Sequence, residues 1–162
     1  MPKTYTPIAT TTISGSSTSN FTFSSISGSY TDLVLIGQIA ETPSLGSLVY
    51  RVNSDSGSNY STTYLDGNGS SATSGRYTSQ TEARATYEGV GTGFGTYIFN
   101  FQNYSNTTTY KTILGRASNA GNSAEATVSL WRSTSAITSI TIYAGQNFAS
   151  GSTFTLYGVK SA

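Results

Sequence analysis

Almost every position of this chain that is not apolar is Ser, Thr, Gly or Asn, and Asp, Glu, Lys and Arg together make up only 9% of its 162 residues. Ordinary soluble domains carry roughly a quarter charged residues, and the wet face of an amphipathic helix is built largely from long charged side chains. A chain with so few of them has little material for such helices. Its solvent-facing residues must therefore sit on strands and turns.

Hydrophobic residues reach only 36%, but 12 Tyr, 7 Phe and 1 Trp put unusually large side chains into that share. Each buried aromatic removes ~150–250 Å² from water, so a core modest in number is adequate in area. The length suits one domain. Period-two alternation recurs along the chain and marks strands with one apolar face. It is carried by Phe21 and Phe23, by Tyr97, Phe99 and Phe101, by Ile140 and Ile142, and by Phe154 and Leu156.

Clusters of Gly, Asn, Ser and Asp separate these runs, for example at residues 27–29, 54–58, 66–69, 103–106 and 119–122. These residue types supply the positive φ values of tight turns. The reading is an all-β, two-sheet antiparallel sandwich of jelly-roll type. An immunoglobulin-like sandwich shares the same periodicity, because strand order is invisible to it.

Three segments stand apart. Residues 1–18 hold two prolines and a Thr/Ser-rich stretch, and read as an extended N-terminal arm preceding a sandwich body at 19–162. Such an arm lies across a partner or pairs at a sheet edge, with Tyr5, Ile8 and Ile13 as its anchors. Leu33, Val34, Leu35 and Ile36 are apolar on both faces, so that strand is expected to be covered on both sides, by two layers or by one layer and a neighbouring subunit. Residues 66–95 are Gly-, Ser- and Thr-rich and read as an excursion of loops or a protruding hairpin.

The inventory leaves little room for catalysis. Absence of His and Cys removes the commonest general base, the thiolate nucleophile and the best transition-metal ligands. The seven acids, Asp32, Glu41, Asp55, Asp66, Glu82, Glu88 and Glu125, stand in polar surroundings and read as solvated charges or turn-formers. No catalytic residue, metal ligand or cofactor is assigned. Calcium is the one metal whose oxygen ligands are present, and Asn53, Asp55 and Asn59 around Gly57 are the nearest approach to a loop for it. Tyr64 stands where a terminal bidentate Glu is needed, so that loop reads as a turn.

The eight basic residues are scattered, so no nucleic-acid stripe forms. The longest apolar run is Leu33 to Ile36, far too short to span a bilayer, and no apolar export segment opens the chain. Neutral polar loops carrying tyrosines suit sugar binding, with Tyr60, Tyr64 and Tyr77 beside Arg76 as the contacts to a glycan.

Residues 5–38, 51–76, 103–116 and 129–160, with their YTPIATTT, RVNSDSGSNYSTTYLDGNGSS, NYSNTTTYKTILGR and SLWRSTSAITSITIYAGQNFASGSTFTLYG segments, resemble small virion proteins of tailed bacteriophages, many from marine and freshwater hosts. These proteins are described as virion structural, head decoration or tail fibre proteins. The resemblance implies a β-sandwich on a particle surface and transfers no catalytic residue. A fibre needs an attachment domain and a long shaft, whereas this chain has room for one compact body and an arm. That layout favours a capsid decoration (cement) protein. It is expected to be made in the host cytoplasm, to sit on the capsid exterior, to contact the major capsid protein and to form a homotrimer. A receptor-binding tail fibre or knob recognising a host glycan is the alternative.

Overall fold

A computed structural model describes residues 4–15, 17–119 and 121–160. Among them there is no helix. Fourteen strands follow in chain order: β1 (Tyr5–Thr12), β2 (Asn20–Phe23), β3 (Asp32–Ile39), β4 (Glu41–Thr42), β5 (Leu48–Val52), β6 (Tyr60–Gly67) and β7 (Ala72–Gln80) make the first half. The second half is β8 (Ala83–Arg84), β9 (Gly95–Phe101), β10 (Lys111–Asn119), β11 (Ser123–Trp131), β12 (Ile140–Ala144), β13 (Asn147–Phe148) and β14 (Thr153–Val159).

They form an eight-stranded antiparallel sheet in the order β1-β14-β3-β9-β10-β11-β6-β7 and a four-stranded one in the order β2-β12-β5-β8, with a short β4-β13 ladder beside them. Within this, β1-β14-β3-β9 and β2-β12-β5-β8 are the two sheets of a jelly roll, each filled by strands that the chain visits alternately. Two hairpins, β6-β7 and β10-β11, are inserted between these core strands and extend the first sheet by four. The excursion read at residues 66–95 begins in the first of these hairpins.

The alternating side chains meet between the sheets. Phe21 on β2 touches Phe154 on β14 with ring centroids 4.3 Å apart, and Phe148 packs edge-on to Phe154 at 5.0 Å. Tyr50 on β5 meets Phe99 and Phe101 on β9 at 5.9 and 5.7 Å. Replacing such a buried ring by Ala typically costs about 3–5 kcal/mol. The small sheet ends at β8, whose Arg84 N–H donates to Thr62 Oγ1 of β6 at 3.2 Å. The edge strand β7 therefore overhangs it.

The arm is not separate from the body. Tyr5–Thr12 pairs with β14 along its length, with one bulge between Pro7 and Ala9, and so takes the sheet-edge alternative within its own chain. Ile13 is buried in the core, Ile8 packs against that core, and Tyr5 stands edge-on to Tyr157 at 6.3 Å. Two of the three expected partner anchors are thus internal. Residues 1–3 and 16 of the expected arm lie outside the described residues.

The apolar run is the middle of β3. Leu33 and Leu35 face the small sheet and are fully buried. Val34 is buried and Ile36 partly exposed on the opposite side, where no second sheet lies among the described residues.

Candidate functional site: an open sheet face and a tyrosine stack

Two surfaces carry the features that sequence reading singled out. The first is the outer face of the eight-stranded sheet. Register aligns Tyr157, Val34, Asn100, Leu114, Val128 and Thr63 in one row. Thr155, Ile36, Ile98, Arg116, Ala126 and Leu65 form the next. Ile36 is 37% exposed, Leu114 37%, Val128 48% and Leu65 62%. In these two rows Arg116 is the sole charge. A group of exposed apolar residues on one sheet face marks an interaction surface more often than a scatter of single exposed residues does.

The second surface lies where β7 overhangs. The Asn68 side chain closes the β6-β7 turn by accepting from Ser70 N at 3.1 Å and Ser71 N at 3.0 Å. This sets Tyr64 opposite Gly75 and Thr62 opposite Tyr77. Tyr64 and Tyr77 therefore share a face, stacked with centroids 5.6 Å apart, and Tyr64 also stacks on Tyr87 at 4.1 Å. Arg84 lies 4.5 Å over the Tyr77 ring. Burial among these neighbours and the Tyr87 hydroxyl push the Tyr64 phenol above its usual range. Glu125 fixes Tyr87 by accepting its N–H at 2.5 Å and that of Glu88 at 3.1 Å.

The expected glycan contacts do not stand together. Tyr60 is fully buried under β5, where its hydroxyl accepts from Val52 N at 3.1 Å and lies 3.1 Å from the Asp55 carbonyl. Burial pushes its pKa up to about 12. Arg76 pairs in register with Thr63 and so points to the outer face, away from Tyr77. Consecutive strand residues face opposite sides, so the pair Arg76 and Tyr77 was separable from sequence. Arg84 and Tyr87 take the places beside Tyr64 and Tyr77. Only the ladder and the β8–β9 loop bring them there. Much of the ring surface in this cluster is taken up by the other rings and by Arg84.

The loop weighed for calcium is a turn: Asp55 accepts from Gly57 N at 2.8 Å, Asn59 Nδ2 at 2.9 Å and Trp131 Nε1 at 2.6 Å. Three of the seven acids, however, are not solvated. Glu41, Asp66 and Glu125 are buried on or beside the inner face of the large sheet. Burial raises the Glu41 pKa to about 7 against the pull of the Gln146 and Gly145 N–H groups. Glu125 is also raised by burial, and the Asp66 charge opposite adds to this. No family model matches the chain, and no curated protein matches it in sequence.

Proposed function

We propose that the protein is a structural component of a tailed-bacteriophage particle and decorates the capsid exterior, seated on the major capsid protein. The observation that carries this reading is the pair of rows across six strands of the outer face, where Ile36, Leu114, Val128 and Leu65 are exposed and Arg116 is the sole charge. A surface of this kind is suited to contact with another protein, and a low charge limits repulsion between many copies on one lattice. The jelly roll is consistent with the role but does not assign it, since the same architecture serves capsids and lectins alike. The sequence resemblance to phage virion proteins supplies the particle.

With the arm folded into the sheet, attachment falls to this face rather than to Tyr5, Ile8 and Ile13. The expected homotrimer belongs to the same proposal, because Val34 and Ile36 lie on the same face as Leu114 and Val128. Sedimentation of the free protein measures self-association, and a strict monomer at high concentration removes it.

A receptor-binding knob is the second reading, favoured by the Tyr64, Tyr77 and Tyr87 stack with Arg84. Labelling the protein on intact particles separates the two. A lattice over the head supports decoration, and label confined to the tail tip overturns it. Particles lacking the protein are expected to lose their genomes at lower temperature while adsorbing normally, because a bound clamp stabilises the state it binds. The knob reading demands the reverse.

A further inference from the structure

We propose that Asp66 and Glu125, directly opposite one another at the hairpin end of the large sheet, form a weak binding site for a divalent cation of the calcium type. The site is independent of whether the protein sits on head or tail. It also differs from the Asn53–Asn59 turn, where Asp55 is fully engaged.

Register pairs Asp66 of β6 with Glu125 of β11 on the inner face. Like charges directly across a ladder repel, and both residues are 4% exposed. Among the described residues the single ion pair is Arg51–Glu82, so neither carboxylate has a basic side chain to balance it. Glu125 is held in place by Tyr87 N, Glu88 N and, at 3.0 Å, the Ser123 hydroxyl. Asp66 has no such support: neither Oδ1 nor Oδ2 meets a hydrogen-bond donor. Buried charged groups are ordinarily paired or coordinate metals, and the two Asp66 oxygens, buried and unpartnered across the ladder from a second carboxylate, leave room for such a ligand.

A further buried polar group belongs to the same row. Tyr97, Ala117, Glu125 and Asp66 lie side by side across β9, β10, β11 and β6. The Tyr97 hydroxyl is buried, with the Asn119 side chain beside it, and lies in the field of the Glu125 carboxylate. Thr73, opposite Asp66 on the overhanging β7, is exposed, so the row lies next to the edge of the sheet.

Every donor here is oxygen, which selects a hard cation over zinc or copper. Bidentate capture by one carboxylate, with a second carboxylate and water completing an irregular shell, suits calcium better than magnesium, which demands a regular octahedron. Among the described residues no three acidic, His or Cys side chains gather to hold an ion. Two carboxylates place the dissociation constant in the weak range of roughly 10⁻⁴–10⁻³ M.

Tyr64, two residues from Asp66 on the same face, provides the readout, since a nearby tyrosine sensitises terbium luminescence. Purified protein titrated with Tb3+ is expected to show saturable luminescence that Ca2+ displaces, and its Tm is expected to rise in Ca2+ relative to chelator. Asp66→Asn should abolish both effects, Glu125→Gln should weaken them, and Glu82→Gln should leave them intact. Equal Tm of the unaltered protein in Ca2+ and in chelator, with no displaceable luminescence, overturns the site whatever the variants do. So does an Asp66→Asn protein that retains the full calcium response.

Discussion

The ring of Tyr64 lies across the position where its cross-strand partner Gly75 would carry a side chain: a methyl group there stands 2.6 Å from the Tyr64 hydroxyl oxygen. A strand glycine beneath an aromatic neighbour is covered by it, and the ring gains a flat seat. The stack on Tyr77 and Tyr87 depends on that seat.

Gly75→Ala is therefore expected to displace the Tyr64 ring while leaving the sheet intact. The ring is at the rim and can swing outward, so the loss should be no more than about 1 kcal/mol, the size of an aromatic pair contact. Near-ultraviolet circular dichroism should lose the coupled tyrosine signal. An unchanged spectrum disproves the arrangement.

Two adjacent residues of β3 test the assignment of its faces. Leu35 points between the sheets and Ile36 points out. Leu35→Ala should destabilise by about 2–5 kcal/mol, whereas Ile36→Ser should change the stability of the free protein by no more than about 0.5 kcal/mol. Urea denaturation of both variants measures the contrast. Equal losses would mean that the outer face is covered in solution by a second copy.

Removing residues 4–13 tests whether the first strand belongs to the body. A separable arm tolerates its loss, but here the deletion takes Ile13 from the core and strips β14 of its neighbour, leaving an unpaired edge. Exposed edges recruit other chains. The truncated protein should aggregate or melt well below the full chain, and a monomeric product of unchanged Tm would contradict the pairing.

Glu41 makes stability depend on pH. Its folded-state pKa, pushed up to about 7 by burial from an ordinary 4.5, means that the folded protein favours the neutral acid. The contribution is fully present below about pH 4.5 and is lost as pH rises through about 7, which amounts to roughly 3 kcal/mol. Glu125 is raised as well and acts in the same direction. Asp55 opposes them: burial would raise its pKa, but donors from Trp131, Asn59 and Gly57 outweigh it, so its contribution disappears as pH falls. Glu41→Gln should flatten the loss of Tm between about pH 4.5 and 7. A variant with the parental pH profile excludes Glu41 as its source.

Strand identity was legible in the sequence because alternation is local. Phe23, Phe99, Phe101, Ile140, Ile142, Phe154 and Leu156 all face the core as their period-two spacing implies. The turn clusters at 54–58 and 103–106 fall between strands for the same reason, since backbone preference is set residue by residue. Scarcity of charge excluded helices, and the all-β sandwich followed.

Tertiary structure alone decided which strands are neighbours and how far the second sheet reaches. The first strand lies beside the last, with Thr10 and Thr155 hydroxyls 3.1 Å apart across the whole length of the chain. No local pattern encodes such a pairing, so a segment that reads as a free arm becomes a sheet edge. Tyr60 and Tyr64 share one face of β6, yet Tyr60 is buried beneath β5 and Tyr64 stands half-open beyond the end of the small sheet. Their period-two phase is identical. The small sheet covers Tyr60 and stops short of Tyr64, while the loop after β8 brings Tyr87 and Glu88 onto Glu125, which with Asp66 is buried in a position that its polar sequence neighbours made look solvated. Alternation fixes which side a residue faces, while burial depends on what the rest of the chain places over it.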